Sequence, residues 1–150
     1  MQTNNVDSLD DAYLNYYKAS EIEPSAQSFL GMGMVFLEKK MYPQAKHYLY
    51  KAYSIDENDS ISNYYLAKFA FHKRDYTRAI YYFKRAYEMG LSDNYDTNYS
   101  LGVLYEKVGD LEASKIYYQN AQNLNTNARL SENINRVNAL EKTKEKYTRN

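Results

Sequence analysis

His47 and His72 are the only imidazoles in the chain, and there is no cysteine. Composition therefore excludes a thiolate nucleophile, a disulfide and a Cys-based metal site. The two histidines fall in different helical stretches with no second His or Cys at ligand spacing, so an exposed or groove-edge imidazole is expected for each and no metal for either. Gly31-Met32-Gly33 opens like a dinucleotide-binding loop but lacks the third glycine and a preceding strand, so no cofactor is expected. His72-Lys73-Arg74-Asp75 shares letters with a phosphotransfer catalytic loop, yet no Gly-rich loop or partner lysine precedes it. The acid pairs Asp10-Asp11 and Asp56-Glu57 lie at helix starts or in turns. There they cap amides or complement a helix dipole without acid–base work. The chain is not expected to be an enzyme.

Bulk composition narrows the remaining classes. Lys+Arg and Asp+Glu balance at 19 each, so no global field favours nucleic acid or an anionic membrane. Tyr occurs 19 times, and a single-strand stacking platform would need a basic track beside those rings, which is not evident. The longest apolar stretches, such as Phe29 to Leu37, are about half of what a bilayer span requires, so no direct membrane insertion is expected. No signal-peptide pattern opens the chain. A cytoplasmic home is the reading, with a periplasmic or membrane-tethered place open if the chain is a fragment. Only 2 Pro and 5 Gly are present, which suits helices joined by short turns.

Those helices repeat. Ala12, Ala45, Ala79 and Ser114 are spaced by 33, 34 and 35 residues, and so are Ala19, Ala52, Ala86 and Ala121. Gly33, Ala67 and Gly102 form a third series, while Leu9, Tyr42, Tyr76 and Leu111 and then Tyr16, Leu49, Phe83 and Tyr118 carry large apolar side chains at the same period. Within 95–128, Leu101, Gly102, Leu104 and Tyr105 share one helical stripe; Leu111, Ser114, Tyr117, Tyr118 and Ala121 share another after the Gly109-Asp110 turn. Each unit is thus an antiparallel helix pair in which small residues let two backbones approach.

The pattern resembles the tetratricopeptide repeat (TPR), with the best match at 95–128 through Leu101-Gly102, Tyr105, Tyr118 and Ala121. Units 26–59 and 60–94 match through Met32-Gly33, Ala45 and Ala52, and through Leu66-Ala67, Ala79, Phe83 and Ala86. Residues 7–25, from Asp7, match only a second helix. The resemblance implies an all-α fold, a right-handed α-solenoid of about three repeats. The leading helix lies in 1–25, the repeats are 26–59, 60–94 and 95–128, and a capping helix with its tail occupies 129–150. Asn63 and Asn98 stand where an early aromatic is expected, and the substitution is expected to loosen those helices.

The leading helix has no preceding partner in 1–6. It belongs to a longer array, packs on something else, or makes a homotypic contact through Leu9, Tyr13 and Tyr17. The terminal stripe Leu130, Ile134, Val137, Leu140 and Tyr147 suits a capping helix. Its lysines and Arg149 are interleaved with Glu, which weighs against a nucleic-acid tail.

In the family, first helices line the concave face. That rule assigns Leu30, Met34, Leu37 and Glu38 to the groove from the first unit, Tyr64, Lys68, Phe71 and His72 from the second, and Tyr99, Val103, Glu106 and Lys107 from the third. Met and aromatics suit an adaptable peptide groove. The implied function is a protein–protein interaction module, an adaptor or scaffold holding a peptide or helix of another protein. The alternatives are a self-associating scaffold, with the groove filled by the C-terminal helix or a second copy in a homodimer, and a regulatory domain cut from a larger protein. A branch of the family clamps acidic chaperone tails with Lys, Asn and Arg. Here Leu30, Met34, Asp96 and Ser100 occupy those places and Lys68 stands alone, so that ligand is not expected.

Overall fold

The computed structural model describes residues 3–148, with side chains from Ser8 onward; Asp7's side chain, Arg149 and the remaining tail positions lie outside the described residues. Eight α-helices follow one another: α1 (Thr3–Ile22), α2 (Ala26–Glu38), α3 (Tyr42–Ile55), α4 (Ser60–His72), α5 (Tyr76–Ala86), α6 (Tyr95–Val108), α7 (Leu111–Leu124) and α8 (Ala128–Thr148). No strand occurs among the described residues. A π-helical turn, Tyr87–Leu91, extends α5 and contains Gly90, whose φ of 128° only glycine adopts without strain.

The helix boundaries are written locally. Asp59, Asp75, Asn94 and Asp110 each accept a hydrogen bond from the backbone amide three residues on, and Ser25 with Ser28 forms a reciprocal capping box. The turn inside each hairpin needs one left-handed residue. Gly109 fills it in the third unit at φ 84°, while Lys40 and Arg74 fill it at φ 58° in the first two.

Helices α2 with α3, α4 with α5 and α6 with α7 make the densest pairings, and each hairpin then stacks on the next. A Cβ built on Gly33 would fall 2.7 Å from the Leu49 side chain, and one on Gly102 would fall 2.5 Å from the Tyr118 ring. At Gly33 and Gly102 the helix crossing therefore leaves no room for a methyl group unless the facing side chain shifts, while Ala67 fits its crossing. Ala45, Ala52, Ala67, Ala79, Ala86 and Ala121 are fully buried at these contacts. One core runs from Phe29 to Leu104 through α2–α6; a second gathers Tyr118, Ala121, Leu130 and Val137 beneath α8.

The leading helix does find a partner. It packs on α2, with the Tyr16 ring over Gly31, Tyr13 edge-on to Phe36 at 5.1 Å, and an Asp10–Lys39 ion pair. Tyr13 is thereby spent inside the chain, whereas Leu14 and Tyr17 stay exposed.

Asn63 and Asn98 contradict the expectation of loosening. Both are fully buried. The Asn63 amide donates to the carbonyls of Glu57 (2.9 Å) and Asp59 (2.8 Å), and the Asn98 amide to those of Ser92 (2.7 Å) and Asn94 (2.9 Å). Each fastens the loop that enters its helix, a job no aromatic ring could do.

Candidate functional site

Helices α2, α4 and α6 carry the residues assigned to the concave face, and the structure distributes those residues unevenly. Leu30 and Leu37 are 8% and 5% exposed, so they belong to the interior. Met34, Tyr64, Lys68, Phe71, Tyr99, Val103 and Glu106 are half-buried, and Glu38, His72 and Lys107 are exposed. His47, on α3, is exposed as well.

Five of the assigned residues converge. Lys68, Phe71 and His72 of α4 face Tyr99 and Val103 of α6 across a pocket of about 260 Å³, completed by Phe83, Ser100 and Arg129. A second pocket of about 340 Å³ shares Phe71 and His72 and adds Arg74, Tyr76 and Lys107. Leu30 and Met34 line a separate hollow of about 420 Å³ with Tyr16, Ile61 and the turn acids Asp56 and Asp59. Leu37, Glu38, Tyr64 and Glu106 line none of the three. Another hollow of about 830 Å³ lies between α7 and α8, where the Lys115–Glu141 ion pair (2.9 Å) sits on its lining.

Aromatic stacking fixes the walls of the shared pockets. Tyr64 stands edge-on to Tyr65 (5.2 Å) and Phe83 (5.6 Å); burial, then the nearby charge of Asp96, pushes its hydroxyl up to about 12, so it stays neutral. Tyr99 stacks on Tyr95 at 5.8 Å, and its hydroxyl accepts from the Asn133 amide of α8 at 3.1 Å. Phe71 leans on Tyr76 at 6.1 Å.

Helix α8 closes one end. Glu106 accepts from Arg136 through both oxygens (2.6 and 2.9 Å) and from the Tyr118 hydroxyl at 2.9 Å. Burial alone would raise its carboxyl, but the bonds from Arg136 and Tyr118 outweigh that and hold it below the usual carboxylate range. Glu106 is therefore consumed inside the fold. The C-terminal helix packs on α7 and covers the Tyr95–Tyr99 edge of α6, and its Arg129 reaches the pocket shared with α4.

Sequence reasoning missed Phe83 and Arg129, and placed Ser100 only at a vacant clamp position. Arg129 lies 34 residues after Tyr95, so carrying the repeat register into α8 would have placed it at the head of a further first helix. Phe83 had been assigned wholly to packing.

Among the described residues, no cluster of three His, Asp or Glu could hold a metal ion, and no helix is long and apolar enough to cross a membrane.

A family model described as tetratricopeptide repeat matches residues 26–59 and 95–127. The middle unit is unmatched, although it folds in the same way. No curated protein matches the sequence. Among solved structures, MamA superposes with a TM-score of 0.79 at 18% identity, over 99% of this chain and 87% of that one. YrrB, described as a TPR protein with an unusual peptide-binding site, gives 0.78 at 23% identity, over 95% and 74%. PilF of Pseudomonas aeruginosa gives 0.80 at 18% identity, over 91% and 63%. At these identities the likeness is one of fold.

Proposed function

Since two units of this chain are tetratricopeptide repeats in a solenoid of that fold, we propose that it is a protein-interaction module. On this reading a peptide or helix of a partner lies in the concave face of α2, α4 and α6, and the chain serves as an adaptor or scaffold. The working unit is then 26–128, flanked by 1–25 and 129–150. One observation carries the reading: Phe71, Tyr99 and Val103 converge on an open pocket from two successive first helices. A monomeric solenoid gains nothing from half-exposed aromatics there, whereas a groove needs them as anchors. The description of YrrB as peptide-binding agrees with this use of the fold.

Affinity capture tests it. A protein retained by the wild-type chain is expected to be lost with Phe71→Asp and with Val103→Asp but kept with Leu14→Asp on α1. Equal retention by the groove variants would sink the proposal.

A second reading has its own observation. Leu14, Tyr17 and Ile22 are 45%, 41% and 87% exposed on the outward face of α1. Self-association through that face predicts a dimer by light scattering that Leu14→Asp dissociates and Phe71→Asp does not.

A further inference from the structure

The charges around the α4–α6 pockets are one-sided. The whole chain is neutral, with 19 basic and 19 acidic residues. Yet the two adjoining pockets are lined by Lys68, His72, Arg74, Lys107 and Arg129 and by no Asp or Glu. Among the described residues, Lys68, Arg74, Lys107 and Arg129 enter no ion pair. Glu106, next to Lys107, is already held by Arg136, and Asp96, whose charge reaches Tyr64, lies outside both linings.

Three of these cations rest on aromatic faces. Lys68 lies 5.6 Å from the Tyr64 ring and 5.5 Å from Tyr65, Arg129 lies 5.5 Å from Tyr99, and Lys107 lies 5.5 Å from Tyr76. A cation parked on a ring is restrained in position while its N–H donors remain open. Between them the floor is apolar, formed by Phe71, Phe83 and Val103.

Resting on the groove reading above, we propose that this pocket takes one apolar or aromatic side chain of a partner segment whose neighbouring side chains are Asp or Glu. The pocket's 260 Å³ lies below the roughly 300–1,000 Å³ of small-molecule sites and suits a single side chain. Carboxylates beside that anchor meet Lys68 and Arg129 at its rim and Arg74 and Lys107 along the second pocket, giving charge-assisted bonds that no internal acid competes for. Lys68 was isolated in the sequence; the fold supplies Arg129 from α8 as its companion. A nucleic acid has the same sign of charge, but the basic lining does not continue as a track. The next hollow, towards α2, carries Asp56 and Asp59.

The probe is a random peptide library displayed on phage and selected against the full chain, followed by fluorescence anisotropy on selected peptides and on an oligothymidylate. The expected outcome is enrichment of Asp or Glu next to an apolar residue. Affinity should fall about tenfold for each of Lys68→Glu and Arg129→Glu, recover with Lys68→Arg, and weaken with salt. Arg129 is exposed and Lys68 half-buried, and unchanged melting curves confirm that both charge variants fold. Selected peptides that are neutral or basic, lost with Phe71→Ala but indifferent to Lys68→Glu and Arg129→Glu, would overturn this proposal and leave the groove reading intact. Peptides indifferent to Phe71→Ala as well would overturn both. Tighter binding of the oligothymidylate, or a dimer that blocks peptide binding, would also overturn the acidic-segment proposal.

Discussion

Asn63 and Asn98 show how one side chain can replace a packing residue with a different device. Each turns an amide toward two carbonyls, one in the loop before its helix and one at the cap, and so ties that loop to the hairpin. Truncation to Ala removes both donors, so Asn98→Ala is expected to cost about 1–2 kcal/mol in urea unfolding. Asn98→Leu, closer in size but equally unable to donate, should not restore it. The glycine crossings act by exclusion. A side chain at position 102 must displace the Tyr118 ring, so Gly102→Val is expected to lower stability by about 1–3 kcal/mol and to loosen α8, whose Arg136 shares Glu106 with Tyr118. Proteolysis within α8 would report that loosening.

Among the elements, the hairpin turns hold unspent stability. Lys40 and Arg74 adopt the left-handed conformation that Gly109 takes in the third unit. That conformation costs a non-glycine residue about 1–2 kcal/mol, partly offset by the chain entropy glycine gives up. Lys40→Gly should therefore raise stability by about 0.5–1 kcal/mol, and Gly109→Ala should lower it, as read by thermal melts. Arg74→Gly should stabilise too, but it removes a cation from the second pocket and so separates stability from binding.

The α8 clasp carries a pH signature. The Glu106 carboxyl is held below its ordinary value by Arg136 and Tyr118 against the cost of burial. A carboxylate with a depressed folded pKa stabilises above its unfolded pKa, and that contribution is lost as pH falls through the folded value. The wild type should therefore melt above Glu106→Gln at neutral pH, and the gap should close on acidification through and below the usual carboxylate range. A pH-independent gap would mean that the clasp acts by shape alone.

At the scale of the whole molecule, each hairpin touches mainly its neighbours, so stability accumulates along the array and its ends need covering. Leu130 and Val137 are fully buried on α8. Removing 128–150 is expected to cost about 3–6 kcal/mol from those two side chains and to expose the face around Tyr118 and Ala121. Calorimetry on the truncated chain checks this, and an unchanged transition would deny α8 its capping role.

The repeat was legible because its cause is local and periodic. A crossing that admits only Gly or Ala must recur wherever the hairpin recurs, so Gly33, Ala67 and Gly102 announced the fold in one dimension. The caps were less legible: the acid pair Asp10-Asp11, expected at a helix start or turn, lies inside α1, whereas Asp59, Asp75 and Asp110 accept the amides three residues on. The concave face was only half legible. Its register followed from the period, but whether a side chain on it is open or filled depends on the neighbouring unit. Leu30 and Leu37 are buried by neighbours that the register does not describe, while Phe83 reaches the pocket from a second helix. The sequence by itself determined helical hairpins, their period and their stacking, because these follow from side-chain size at fixed spacing. Only the tertiary structure decided which cations gather without acids, because Lys68 and Arg74, Lys107, and Arg129 come from three separate stretches of chain. Their shared field exists only once α4 with its turn, α6 and α8 meet around the two pockets.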